Sequence, residues 1–139
     1  MTDIGLTHVA FSVQSLDASI AFYEKYARMV CVHRRDRENV RVAWLTDHTR
    51  PFVIVLVEGP ERRDTPLGPF GHLGVACASR AEVDRLCADA RADGMLRKEA
   101  TDSGPPVGYW AFIADPDGNT LEVSHGQEVG LAVAEAPPA

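Results

Sequence analysis

Glu122 is the residue of this 139-residue chain whose position most needs a chemical explanation. It stands between Leu121 and Val123 in a stretch that reads as a strand, and a carboxylate in a half-buried strand is costly unless hydrogen-bonded, ion-paired or bound to a metal. Two upstream histidines are its natural partners. His8 lies in LTHVAFSV and His72 in GHLGVA, and Ser15 and Ser79 follow them at the same offset of seven. Two imidazoles and one carboxylate on one surface make a metal site with open coordination positions. Such a set suits Fe(II) or Mn(II) and accepts Co(II), Ni(II) or Zn(II). One divalent ion held this way can bind two neighbouring substrate oxygens and polarise them. A lone strand histidine is more often an ordinary core or surface residue; the matched placement of His8 and His72, with Glu122 otherwise unexplained, is what joins the three.

The elements that would position these residues repeat. Leu6 to Val13 reads as a strand with His8, Ala10 and Ser12 on one face; Ser15 then caps a helix with Leu16, Ile20, Tyr23 and Ala27 at helical spacing. Strands follow at Met29 to His33, Val40 to Leu45 and Phe52 to Val57. The second half restarts with a strand at Gly71 to Ala76 and a helix opened by the capping box Ser79 and Glu82 and stopped by Gly94. A short strand is expected around Leu96 and Arg97, then a Gly/Pro-rich loop from Thr101 to Val107. Two strands within Tyr109 to Gly126 flank the turn Asp115-Pro116-Asp117-Gly118, where Pro116 presets φ and Gly118 relieves the reversal. The plan is an α+β fold of two βαβββ modules, 4–58 and 71–128, joined by a linker at 59–70. Together they make a single domain over 1–130, with 131–139 a flexible tail. In this alignment Val55 takes the place in the first module that Glu122 takes in the second.

Composition narrows the function classes. With 45% hydrophobic residues the chain can bury one real core. A net charge of -6 and a pI near 5.3 speak against nucleic acid, and the run Arg34, Arg35, Arg37 is offset by Asp36 and Glu38 as on a solvated face. No apolar segment approaches the ~20 residues that span a bilayer, and the first residues lack a signal-peptide pattern. The expectation is a cytoplasmic protein with a small-molecule substrate or ligand and neither nucleic-acid nor membrane partner. Cys31, Cys77 and Cys87 lack CxxC spacing and read as reduced, mostly buried thiols.

Around the trio, Trp110 and Phe112 share a strand face and offer an apolar wall for a planar substrate, with Val55 a further substrate contact. Tyr109 is the hydroxyl candidate for acid-base work, although alternation sets it on the face opposite Phe112. His125, three residues after Glu122, is the second such candidate and should face away from it. Arg41, Arg97 and Lys98 read as solvated, His48 as an exposed turn residue, and His33 as a strand-end residue with no partner in view.

GLTHVAFSV with ASIAFYEKY, then GHLGVA, then AFIADPDGNTLEV resemble the vicinal oxygen chelate superfamily, over Leu6 to about His125. That superfamily includes glyoxalase I, extradiol ring-cleaving dioxygenases, fosfomycin-modifying enzymes and bleomycin-binding resistance proteins. The resemblance implies a βαβββ pair curled into an open, barrel-like cup, frequently in a homodimer, and assigns metal-ligand roles to His8, His72 and Glu122. Departures shape the functional reading. Val55 stands where glyoxalase I has a fourth ligand, Phe112 where extradiol dioxygenases have a tyrosine, and Ala10 where fosfomycin enzymes have a threonine. The first expectation is a metal-dependent, dioxygenase-like enzyme. The alternatives are a metal-independent sequestration protein of the bleomycin-resistance type, a glyoxalase-like lyase and a fosfomycin-type transferase.

Overall fold

The computed structural model describes residues 3, 5–59, 67–68 and 70–137. Most of the linker expected at 59–70 lies outside these residues, as does the end of the tail at 138–139. The elements in order are β1 (His8–Val13), α1 (Leu16–Ala27), β2 (Val30–Asp36), β3 (Arg41–Thr46), β4 (Val53–Glu58), β5 (His72–Ala76), α2 (Arg80–Ala92), β6 (Leu96–Asp102), β7 (Tyr109–Ala114), β8 (Thr120–His125) and α3 (Val129–Glu135). The fold is α+β with two βαβββ modules. The first sheet has the strand order β1-β4-β3-β2 and the second β5-β8-β7-β6. In each, the outer pair (β1 with β4, β5 with β8) is parallel and the rest antiparallel.

Local chemistry explains the helices. The Ser15 side chain accepts from the Ala18 amide, and that of Ser79 from the Glu82 amide, each satisfying an amide with no partner inside the helix. Glu82 reaches back to accept from the Ala78 amide at 2.7 Å, one residue before the expected capping-box partner. After α2, Gly94 takes a φ of 73°, and the Met95 amide turns back to the Ala90 carbonyl at 2.7 Å.

Alternation then decides what each sheet buries. In the first unit Phe11, Val13, Ala43, Leu45, Ile54 and Leu56 lie under α1 with Leu16, Phe22 and Tyr23, all buried. In the second, Ala111, Ile113, Leu121 and Val123 lie under α2 with Val83, Leu86 and Ala90. Each sheet thus has one helix-covered face and one open face.

The chain divides into two units: Met1–Gly71 with Asp115–Asn119, and His72–Ala114 with Thr120–Ala139. The turn of the second module therefore groups with the first unit, and its bonds explain why. Asp115 is buried, accepts from the amides of Asp117 and Asn119 and from Asn119 Nδ2, and receives the Tyr23 hydroxyl of α1 at 2.8 Å. Burial, followed by the adjacent Asp115 carboxylate, pushes the Tyr23 hydroxyl far above its ordinary pKa, so it stays a donor. Asp117 Oδ1 also accepts from the Gln14 amide at 3.0 Å.

Three elements differ from the sequence expectation. β6 runs seven residues, not a short stretch at Leu96 and Arg97, and register shifts on both sides of Lys98 hide its alternation. β2, an edge strand, extends to Asp36 with every residue exposed. The tail begins with α3, a seven-residue helix that buries none of its residues. The thiols differ too: Cys31 is exposed, Cys77 intermediate, and Cys87 alone is buried, which raises its pKa.

Candidate functional site

Paired residues on neighbouring strands project from the same face, so the register fixes what shares each open face. In the second sheet His72 pairs with Thr120, Gly74 with Glu122, and Glu122 in turn with Phe112. His72, Glu122, Phe112 and Trp110 therefore occupy one face, opposite the helix-covered Leu121 and Val123. The His72 and Phe112 rings are 5.4 Å apart and those of Phe112 and Trp110 4.8 Å, forming a continuous aromatic surface beside the carboxylate. Trp110 Nε1 donates to Ser103 Oγ at 2.9 Å, and Lys98 Nζ lies 5.1 Å from the indole centre, a cation on its π face.

Glu122 is only partly buried, and Gln127 Nε2 donates to its Oε2 at 3.1 Å. Partial exposure and that bond lower the cost that singled it out in the sequence.

The open face of the first sheet carries His8, Val53, Val55, Val57, Trp44 and Val42 by the same logic. Val55 pairs with Ala10 and Trp44, as Glu122 pairs with Gly74 and Phe112, so Val55 is the structural counterpart of Glu122. Glu58, three residues on, turns to the helix side, where it accepts from the Leu16 amide at 2.6 Å and pairs with Arg41 at 3.3 Å. Over this face lies a cavity of about 680 Å³ floored by Trp44 and the three valines of β4, with Asp3, Thr7, His8, Arg35, His48 and Arg50 among its polar residues. His8 is exposed, and its Nδ1 is 2.9 Å from Thr7 Oγ1.

The sequence candidates fall into three places. His72, Glu122, Trp110 and Phe112 come together on the second open face, while His8 and Val55 share the first. Among the described residues no three His, Cys, Asp or Glu side chains form a group that could hold a metal ion. Tyr109 and His125, paired with each other at the sheet end, are off the Glu122 face. Tyr109 donates its hydroxyl to Asp84 of α2, which raises its pKa, and Arg80 lies 4.7 Å from its ring; His125 Nδ1 is 3.1 Å from the Cys77 carbonyl. Neither expected acid-base residue joins Glu122, because period-two alternation sends them to the other side.

The first-unit cavity was missed in the sequence, although its signal is there. Val53, Val55 and Val57 alternate with buried Ile54 and Leu56, so β4 is apolar on both faces while each module has only one helix to cover a face. His33, with no partner in view from the sequence, lies with its ring 4.8 Å from Trp44.

Residues 5–123 match the Glyoxalase/Bleomycin resistance protein/Dioxygenase superfamily. The chain belongs to this superfamily. An uncharacterized protein of Pseudomonas aeruginosa is 39% identical over 127 residues, 90% of this chain and 91% of that protein. A lactoylglutathione lyase of Arabidopsis thaliana is 33% identical over 125 residues, covering 84% of this chain and 42% of that protein. The solved glyoxalase I of Leishmania major, described as trypanothione-dependent, matches with a TM-score of 0.70 at 22% identity over 96% of this chain and 94% of that one, a likeness of fold. No helix of the described residues is long and apolar enough to cross a membrane.

Proposed function

We propose that this superfamily member is a metal-dependent enzyme acting on a small substrate with two neighbouring oxygens, and that His8, His72 and Glu122 are its metal ligands. The observation that carries the reading is His72 and Glu122 on one open sheet face beside the Phe112–Trp110 surface. An imidazole nitrogen and a carboxylate oxygen are the donors that first-row divalent ions take, with His8 the third donor, from the same chain or from a second copy in a homodimer. A bound ion would supply Lewis acidity toward the substrate oxygens. The chain's own residues do the rest: Gln127 orients the Glu122 carboxylate, and Phe112 and Trp110 offer a flat apolar surface to a planar substrate. Three protein donors leave positions for both substrate and oxygen, which favours dioxygenase-like chemistry on a phenolic or enolic compound. Tyr109 and His125 have no part in that step. The named activity of the Arabidopsis lyase supports a lyase instead, but Val55 in the place where glyoxalase I has a fourth ligand counts against it.

The test is metal content by elemental analysis of untagged protein, wild type and Glu122→Ala, with oxygen uptake on a catechol panel. About one equivalent of iron or manganese per chain, lost in the variant, is expected. Zinc or nickel retained in the same way would redirect the reading to lyase or isomerase chemistry. No metal after reconstitution would overturn it.

A second reading, sequestration of an apolar ligand without metal, draws support from the first-unit cavity, whose floor is apolar throughout. Under it, stripping metal leaves ligand affinity unchanged, and a tenfold loss, about 1.4 kcal/mol, would count against it.

A further inference from the structure

Arg34, Arg35 and Arg41 come from one charged stretch, but β2 and β3 sort them onto two faces. Arg34 and Arg41 take the helix side. Arg34 pairs with Asp17 at 3.0 Å and with Asp36 at 3.3 Å, and Arg41 with Asp17 at 3.4 Å, Asp36 at 3.6 Å and Glu58 at 3.3 Å. Arg35 pairs in register with Val42, whose side chain shares the open face, and so lines the cavity. Among the described residues no carboxylate lies within ion-pair distance of Arg35. Asp17, Asp36 and Glu58 are taken up by Arg34 and Arg41 on the other face.

Its position relative to His8 is set by register. His8 lies opposite Val53, whereas Arg35 lies beyond Val42, which is opposite Val57. Four residues of strand, about 13 Å at ~3.3 Å each, and three strand spacings of about 4.8 Å separate the two backbones. Val55 and Trp44 lie between. At the His8 end the cavity also meets Asp3, Thr7, His48 and Arg50, and Arg50 already acts on Asp47 of its own turn. Among the described residues, then, Arg35 is the cavity cation without a counter-ion, at the end remote from His8.

We propose that the first-unit cavity binds an elongated molecule with an apolar, ring-bearing body and an anionic group, a carboxylate or sulfonate. The body lies on Trp44, Val55 and Val57, and the anion pairs with Arg35. Arg35 is then a specificity-determining residue, since a guanidinium matches a planar or tetrahedral oxyanion and cannot lose its charge. The inference deepens the reading above by naming a substrate class, and rests on it only in taking the molecule bound in this cavity to be the substrate.

The test compares two fluorescent probes of similar body, the anion 8-anilinonaphthalene-1-sulfonate and the neutral N-phenyl-1-naphthylamine, on the full chain. Arg35→Gln is expected to weaken the sulfonate about tenfold and leave the neutral probe unchanged, while Trp44→Ala weakens both. Arg34→Gln, on the helix side, leaves both unchanged. The inference is overturned if neither probe binds wild type, if Arg35→Gln weakens both probes alike or neither, or if Arg34→Gln acts as Arg35→Gln does. Repeating the titrations on metal-stripped protein and on Glu122→Ala separates the two ideas. Charge selectivity that persists where metal is absent supports the cavity inference even if the metal reading fails.

Discussion

The open faces of the two sheets carry different residues at equivalent positions, whereas their helix-covered faces carry nearly the same ones. On the covered side Ala43 matches Ala111, Leu45 matches Ile113, and Ile54 matches Leu121, all buried. On the open side only His8 and His72 correspond in type; Val55 answers to Glu122, Trp44 to Phe112, Val42 to Trp110 and Ala10 to Gly74. Packing against a helix constrains the volume of these covered positions, where even a methylene is felt. An open face has no such constraint, and there one module became an apolar cavity and the other a carboxylate beside aromatic rings.

The strongest way to break this comparison is through the covered faces. Ile54→Ala and Leu121→Ala should each cost about 2–5 kcal/mol in urea unfolding, since both remove a fully buried branched side chain at one structural position. A loss at only one position would show that the modules do not share their packing.

The turns of the two modules differ next most. Asp115 is buried and held by Tyr23, whereas Asp47 is exposed and accepts from the Thr49 amide and hydroxyl. Burial acts to raise the Asp47 pKa, but the Thr49 bonds and nearby Arg50 outweigh it and lower it. Tyr23→Phe should cost about 1.5–3 kcal/mol, the range for a hydrogen bond to a charged group. Asp47→Ala should cost under about 1 kcal/mol, because its bonds to Thr49 are exposed to competing water. Equal costs would mean that the buried network adds nothing over the exposed turn.

A last substitution sharpens the open-face contrast. Val55→Glu puts a carboxylate where the second module has one. It should leave the unfolding midpoint nearly unchanged while weakening the naphthalene sulfonate probe at least about tenfold, or ~1.4 kcal/mol. Undiminished sulfonate binding would remove Val55 from the floor of the site.

Much of this was legible in the residues. Ser15 and Ser79 marked both helix starts because capping is a bond within four residues, and the shared offset from His8 and His72 exposed the repeat. The same alignment paired Val55 with Glu122, because strand register follows from where each turn falls. Strand alternation also sent Tyr109 and His125 away from Glu122. The extent of β6 was not legible, since its register shifts break the period, and neither was α3, which has no buried face to write a pattern. The sequence by itself determined the caps, the repeat and the face of residues in the regularly alternating strands, all set by neighbours along the chain. Only the tertiary structure decided that Gln127 donates to Glu122, that the valines of β4 floor a cavity, and that among the described residues Arg35 lacks a counter-ion while Arg34 and Arg41 have theirs. Those outcomes depend on which side chains remote in sequence meet across a sheet or beneath a helix, and local periodicity carries no record of that.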